Sequence, residues 1–253
     1  MKTHYLMIGG GLIVVGLASA TAPFLKVLAP TDVEKNQTNQ AQVNQAQIIK
    51  KVIPLESKKE QTDAIYRKVN SAVVTVYGSK ELGSGMVVRP DGLVLTNKHV
   101  VENSTSPAVK TATGEVYEAE VVDFDLRYDL AIVRLKTKAN STILPTVTLA
   151  NIPQLRPSDR VYAIGSPGGQ AGTITTGSFL RTTEQGSLQL SAGLLSPGNS
   201  GGPLLNADGE VVGINKGVLE DNTGLATSVI AINQLLTRYD AIRDRPNRDH
   251  PKQ

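Results

Sequence analysis

Residues 196–215 read SPGNSGGPLLNADGEVVGIN, a run of glycine and proline around Ser200 that passes directly into apolar strand-like sequence. A tight turn between strands wants small residues here. The same glycines also allow a sharp loop with unusual backbone angles and leave amide N–H groups unobstructed by side chains. The Gly198 and Ser200 amides can then form an oxyanion hole, each donor being worth about 3 kcal/mol to a developing negative oxygen. Which reading holds depends on whether the rest of the chain supplies a base.

A serine hydroxyl is a poor nucleophile at neutral pH and needs a base to take its proton during attack. The chain has three histidines, at positions 4, 99 and 250. His4 lies in an apolar N-terminal segment and His250 in a charged tail, whereas His99 sits in LVLTNKHVVENS, just past a strand. A base that becomes cationic benefits from a buried carboxylate that orients its ring. Asp129 suits that role because it opens DLAIVRL, a charged residue leading straight into an apolar strand. Asp123 and Asp125 compete with it, but neither adjoins that strand. With His99 and Asp129 as companions, Ser200 reads as a nucleophile rather than a turn residue.

Outward from this constellation, residues from about 71 to 230 form short apolar stretches punctuated by glycine, proline and aspartate, with RPDG and NADG as turns. The pattern predicts an all-β barrel or sandwich. Helices are expected only at EQTDAIYRKVN before the first strand and at INQLLTRYDAIR near the end. The low aromatic content of 4% leaves the core to small aliphatic side chains. A net charge of +3, with no basic stripe interleaved with aromatics, gives no sign of a nucleic-acid partner. The absence of cysteine excludes disulfides and zinc–thiolate sites. No cluster has metal-ligand spacing, and no metal or cofactor is expected.

The N-terminal segment YLMIGGGLIVVGLASATAPFL, Tyr5 to Leu25, is uncharged between Lys2 and Lys26. It has the basic start and small-residue ASA of a signal peptide, and also nearly the length of a transmembrane helix. Both readings stay open, and both place the protein outside the cytoplasm. The expected organisation is an apolar helix, signal or anchor, over residues 1–28 and a Gln/Asn-rich flexible linker over 29–60. A catalytic domain follows over 61–246, with one barrel at about 70–150 and another at about 151–232, then a polar tail at 247–253.

GSGMVVRPDGLVLTNKHVV, DLAIVRL, AIGSPGG and GNSGGPLLNADGEVVGIN, in this order and spacing, resemble the chymotrypsin-fold serine proteases of the bacterial HtrA (Deg) type. The resemblance covers about residues 62–233. It implies two six-stranded β-barrels with the site between them, His99 and Asp129 from the first and Ser200 from the second. GNSGG also satisfies the G-x-S-x-G pattern of α/β hydrolases, but in that fold the aspartate and histidine follow the serine. Here only His250 follows it. Asn199 stands where the zymogen-activated relatives carry an aspartate that pairs with a freed N-terminus, so that route of activation is not expected.

The resemblance places the primary specificity pocket beside Leu194 and Leu195 and along Ile214, Asn215 and Lys216. With no acid among them, small or medium aliphatic substrate side chains are expected. Lys216 reads on its own as a solvated loop charge. About fifty residues follow Ser200, too few for the PDZ domain typical of these relatives. The function implied is endopeptidase action on unfolded or extended polypeptide in the bacterial envelope, with membrane contact only through an uncleaved N-terminus and a homotrimer only by analogy. A catalytically weak peptide-binding or chaperone-like module on the same fold, and a non-catalytic envelope scaffold, are the competing readings.

Overall fold

The computed structural model describes residues 6–8, 11–13, 57–104, 106–137, 143–151, 155–169 and 172–244. The chain divides into an N-terminal unit, Met1–Ile53, and a main unit, Pro54–Gln253.

In the N-terminal unit the described residues form two strands, β1 (Leu6–Ile8) and β2 (Gly11–Ile13), paired antiparallel with Ile8 opposite Gly11. The expected apolar helix is corrected at these residues. Three consecutive glycines each disfavour helix by about 1 kcal/mol, and isoleucine is at home in extended backbone. The transmembrane-helix expectation is likewise corrected: among the described residues no helix is long and apolar enough to cross a membrane. The rest of the 1–28 segment, the linker up to residue 56 and the tail after residue 244 lie outside the described residues.

The main unit opens with helix α1, which covers described residues 57–69 and so begins inside the expected linker. A 3₁₀ turn at Asn70–Ala72 leads into the first barrel. Its strands are β3 (Val73–Tyr77), β4 (Leu82–Arg89), β5 (Leu93–Asn97), β6 (Ala108–Lys110), β7 (Val116–Asp125) and β8 (Leu130–Leu135), with the one-turn helix α2 (Lys98–Val101) after β5. They close in the order β3-β4-β5-β8-β7-β6, every pairing antiparallel.

The second barrel repeats the scheme. Strands β9 (Arg160–Gly165), β10 (Thr173–Thr182), β11 (Ser187–Leu190), β12 (Pro203–Leu205), β13 (Val211–Val218) and β14 (Gly224–Ser228) close as β10-β11-β14-β13-β12-β9. Helix α3 (Val229–Arg243) follows directly, its first turn capped by the Ser228 hydroxyl, which accepts from the Ile230 amide.

Why the central strands read as continuous apolar runs is now apparent. Successive side chains of a strand face opposite sides. Val94 in β5 and Ala131 and Val133 in β8 fill the first barrel with other small aliphatics. Their neighbours Leu93, Leu95, Leu130 and Ile132 point outward, yet are equally buried. They meet Tyr162, Ile164, Val211 and Ile214 of the second barrel, Ile65 and Val69 of α1, and Ile232 and Leu235 of α3. A separate core of Val161, Ala163, Leu188, Leu190, Leu194 and Leu204 fills the second barrel. Both faces of the shared strands are therefore dry, one inside a barrel and one in the seam between barrels.

Candidate active site

His99 lies in α2, directly after β5, and its position is fixed by the turn that begins β8. Asn97, wholly buried, donates its side-chain amide to the Asp129 carbonyl at 2.9 Å, and the Lys98 amide donates to the same oxygen at 3.1 Å. The Asp129 carboxylate is used at both oxygens. Oδ1 accepts the His99 backbone N–H at 3.0 Å, and Oδ2 lies 2.7 Å from His99 Nδ1. Asp129 has φ 57°, in the left-handed region that aspartate tolerates better than most residues. This kink ends the β7–β8 turn and aims the carboxylate back at α2.

Because an ionised carboxylate only accepts, Nδ1 must carry the ring proton that lies against Asp129. Nε2 is thereby the free basic nitrogen of the neutral ring. The Asp129 hydrogen bond raises the His99 pKa above the ordinary 6.5, against burial, which lowers it. The charges of Asp129 and Glu81 add to the rise, and Lys216 opposes it. Glu81, on the β3–β4 turn, brings Oε2 to 4.0 Å from Nε2.

Ser200 lies on the loop between β11 and β12, which is held by hydrogen bonds to both barrels. From the first barrel, the Ser84 amide donates to the Ser200 carbonyl at 2.7 Å, and the Ser84 hydroxyl donates to the Gly198 carbonyl at 2.7 Å. That hydroxyl also accepts from the Ser166 amide at 2.8 Å. From the second barrel, the Gly201 amide donates to the Asn215 carbonyl at 2.8 Å and the Asn215 amide to the Gly202 carbonyl at 2.9 Å. A side chain on Gly198, at φ 98°, would strike the Ser166 carbonyl at 2.5 Å. Among the described residues neither the Gly198 nor the Ser200 amide donates to any protein group, so both are available to an anionic oxygen.

Gly83 shows how closely the two halves approach. A Cβ built there would sit 2.7 Å from Val100, the neighbour of His99, and 2.9 Å from the Ser200 carbonyl. The His99 turn and the Ser200 loop thus meet across one glycine. Ser200 Oγ itself donates to the Lys216 carbonyl at 3.1 Å, and no hydrogen bond joins it to His99 in this arrangement.

The residues expected to line a specificity pocket are placed as follows. Leu194 and Leu195 are buried in the core of the second barrel, and Ile214 is buried in the seam. What they can present to a substrate is backbone and position. Asn215 is buried and holds the Ser200 loop, as above, and its side-chain amide donates to the Pro203 carbonyl at 3.1 Å. Lys216 is partly exposed, with its carbonyl at the serine and its charge felt by His99. Asn199 is buried with neither amide atom hydrogen-bonded among the described residues. An aspartate there would be a buried charge with no partner in view.

Sequence reasoning assigned no role to Ser84, Asn97 or Glu81. Only Asn97 carried a signal, a polar residue closing an apolar strand just before the histidine.

A family model described as a trypsin-like peptidase domain matches residues 83–214. Serine protease HTRA1 of Xenopus laevis is 41% identical over 144 residues, 53% of this chain and 30% of that protein. Serine protease HTRA4 of Homo sapiens is 36% identical over 180 residues, 67% of this chain and 36% of the relative. A probable periplasmic serine endoprotease, DegP-like, of Chlamydia muridarum is 35% identical over 166 residues, 62% and 32% of the two chains. The chain spans about a third of the length of these curated relatives. Among solved structures, the serine endoprotease from Yersinia pestis superposes with a TM-score of 0.64 at 31% identity, covering 72% of this chain and 67% of that one.

Proposed function

This chain belongs to the trypsin-like peptidase family, in its HtrA/DegP branch, and from that membership we propose that it is a serine endopeptidase working through an acyl-enzyme. Ser200 Oγ leaves the Lys216 carbonyl, turns to His99 Nε2 and attacks the carbonyl carbon of a peptide bond while Nε2 takes its proton. The Gly198 and Ser200 amides hold the resulting oxyanion. The imidazolium, stabilised by Asp129, then gives its proton to the leaving amine as the C–N bond breaks. Water repeats the sequence on the acyl ester, with His99 again as base, and frees Ser200.

The observation that carries this reading is the double grip of Asp129 on His99, through ring and backbone, which leaves Nε2 as the ring nitrogen that Asp129 does not engage. Substrates are unfolded or extended polypeptides with small or medium aliphatic side chains before the cleaved bond. The envelope, outside the cytoplasm, is the proposed site of action, a reading supported by the periplasmic description of the Chlamydia muridarum relative.

The main unit is incubated with unfolded casein and with a fluorophosphonate, beside Ser200→Ala. Cleavage and labelling are expected, both lost in the variant. Retention of casein by both proteins with neither cleavage nor labelling would overturn the protease reading in favour of a binding module.

A further inference from the structure

We propose that Glu81 selects basic residues on the leaving-group side of the scissile bond, so that the preferred substrates are polypeptides with lysine or arginine directly after the bond that is cut. This inference rests on the endopeptidase reading above.

The two nitrogens of the His99 ring have different roles. Asp129 occupies Nδ1, so Nε2 alone can hand a proton to the departing amine. That amine must come within hydrogen-bond reach of Nε2, about 3 Å. Glu81 Oε2 is 4.0 Å from the same nitrogen. The amine nitrogen of the departing residue therefore lies within about 7 Å of the carboxylate, so a long basic side chain on that residue can reach it. Ser200 Oγ donates to the Lys216 carbonyl of β13, on a different element from Glu81.

Glu81 is free to act on a ligand. Its side chain is 56% exposed, and His99 is the only partner within ion-pair distance among the described residues. It is also held in place from behind, because its carbonyl accepts the Gly78 amide at 2.9 Å across the β3–β4 turn. A side chain on Gly78 would strike the Val100 carbonyl at 1.9 Å, so this turn lies directly against α2. The charged groups that face the His99 ring are thus Asp129 from the β7–β8 turn, Glu81 from the β3–β4 turn and Lys216 from β13. Asp129 is spent on the ring and the α2 backbone, and Lys216 is a cation that cannot attract a basic residue. Glu81 is left as the charge beside the leaving group. A lysine or arginine there meets a carboxylate, and a glutamate or aspartate meets like charge beside the imidazole.

The test uses internally quenched peptides with valine before the scissile bond and lysine, alanine or glutamate after it, cleaved by the wild type, Glu81→Gln and Glu81→Lys. The wild type is expected to favour lysine over glutamate in kcat/KM by roughly three- to tenfold, with the ratio shrinking in high salt. Glu81→Gln should bring the ratio close to one, and Glu81→Lys should invert it. Thermal unfolding of each variant checks that the fold persists. A wild-type enzyme that labels and cleaves but shows the same ratio as Glu81→Gln would overturn the assignment while leaving the protease reading intact. Absence of fluorophosphonate labelling and of all cleavage would instead remove the reading beneath it.

Discussion

At the scale of single residues, the proposed chemistry depends on a carboxylate in an uncommon backbone conformation. Asp129 sits at φ 57°, where asparagine is tolerated about as well as aspartate. Asp129→Asn therefore removes the charge without asking the turn to rearrange. An asparagine can offer its NH₂ to the ring, which favours the tautomer with the proton on Nε2, the wrong nitrogen for a base. kcat is expected to fall by roughly three to four orders of magnitude. The pH profile gives an independent check. The proposed mechanism needs neutral His99, and its pKa is raised above 6.5 chiefly by the Asp129 hydrogen bond. The acid limb of kcat/KM should accordingly lie above 6.5 in the wild type and move down in the residual activity of Asp129→Asn. The same shift has a stability sign. A histidine whose folded pKa is raised contributes stability that is full below its unfolded value and lost as pH rises through the folded one. The gap in melting temperature between wild type and Asp129→Asn should thus narrow as pH rises through that window, and a constant gap would contradict the coupling.

At the scale of elements, the Ser200 loop belongs to one barrel but takes its shape from both. Ser84 of β4 is wholly buried, and its hydroxyl serves the Gly198 carbonyl and the Ser166 amide at once. Ser84→Ala leaves the Gly198 carbonyl and the Ser166 amide only their long 3.3 Å bond to each other, at a cost of about 1–3 kcal/mol. The loss falls on the residue whose amide must face the oxyanion. The expected result is a lower melting temperature together with a drop in kcat larger than any rise in KM, measured on one peptide substrate. A KM effect alone would detach Ser84 from the oxyanion geometry.

This linkage also marks the limit of what the sequence makes legible. Ser200, His99 and Asp129 stand out only together, since each alone suits a turn or a surface and the three in this order suit chemistry. The strands LVLTN and LAIVRL are legible from their continuous apolar character, which two buried faces require. Strand β6, Ala108–Lys110, is too short to show a period, and LATSVIAI reads as one strand until Ser228 is seen capping a helix within it. The N-terminal apolar run misleads because length and hydropathy point to a helix, while its glycines and isoleucines suit the paired strands found at its described residues. Ser84 and Glu81 act through partners brought close only when the strands pair, and no local pattern announces them.

At the scale of the whole main unit, the question is what keeps the two halves of the site in register. Helix α3 contacts the first barrel through ions: Arg89 reaches Asp240 at 2.5 Å, and Arg238 reaches Asp123 at 3.0 Å and Asp125 at 3.2 Å. The Arg238 side chain is 43% exposed, and pairs of this kind contribute about 0–1 kcal/mol. Burial is the larger effect. Leu235 of α3 is 1% exposed within the cluster that joins α1, α3 and both barrels. Leu235→Ala should cost about 2–5 kcal/mol, and Arg238→Ala no more than about 1 kcal/mol, by urea unfolding. Because one apolar seam serves both barrels, they should unfold together, with fluorophosphonate labelling lost over the same urea range as secondary structure. Two separated transitions, with labelling lost in the first, would mean that each barrel stands on its own core and that the seam only aligns them.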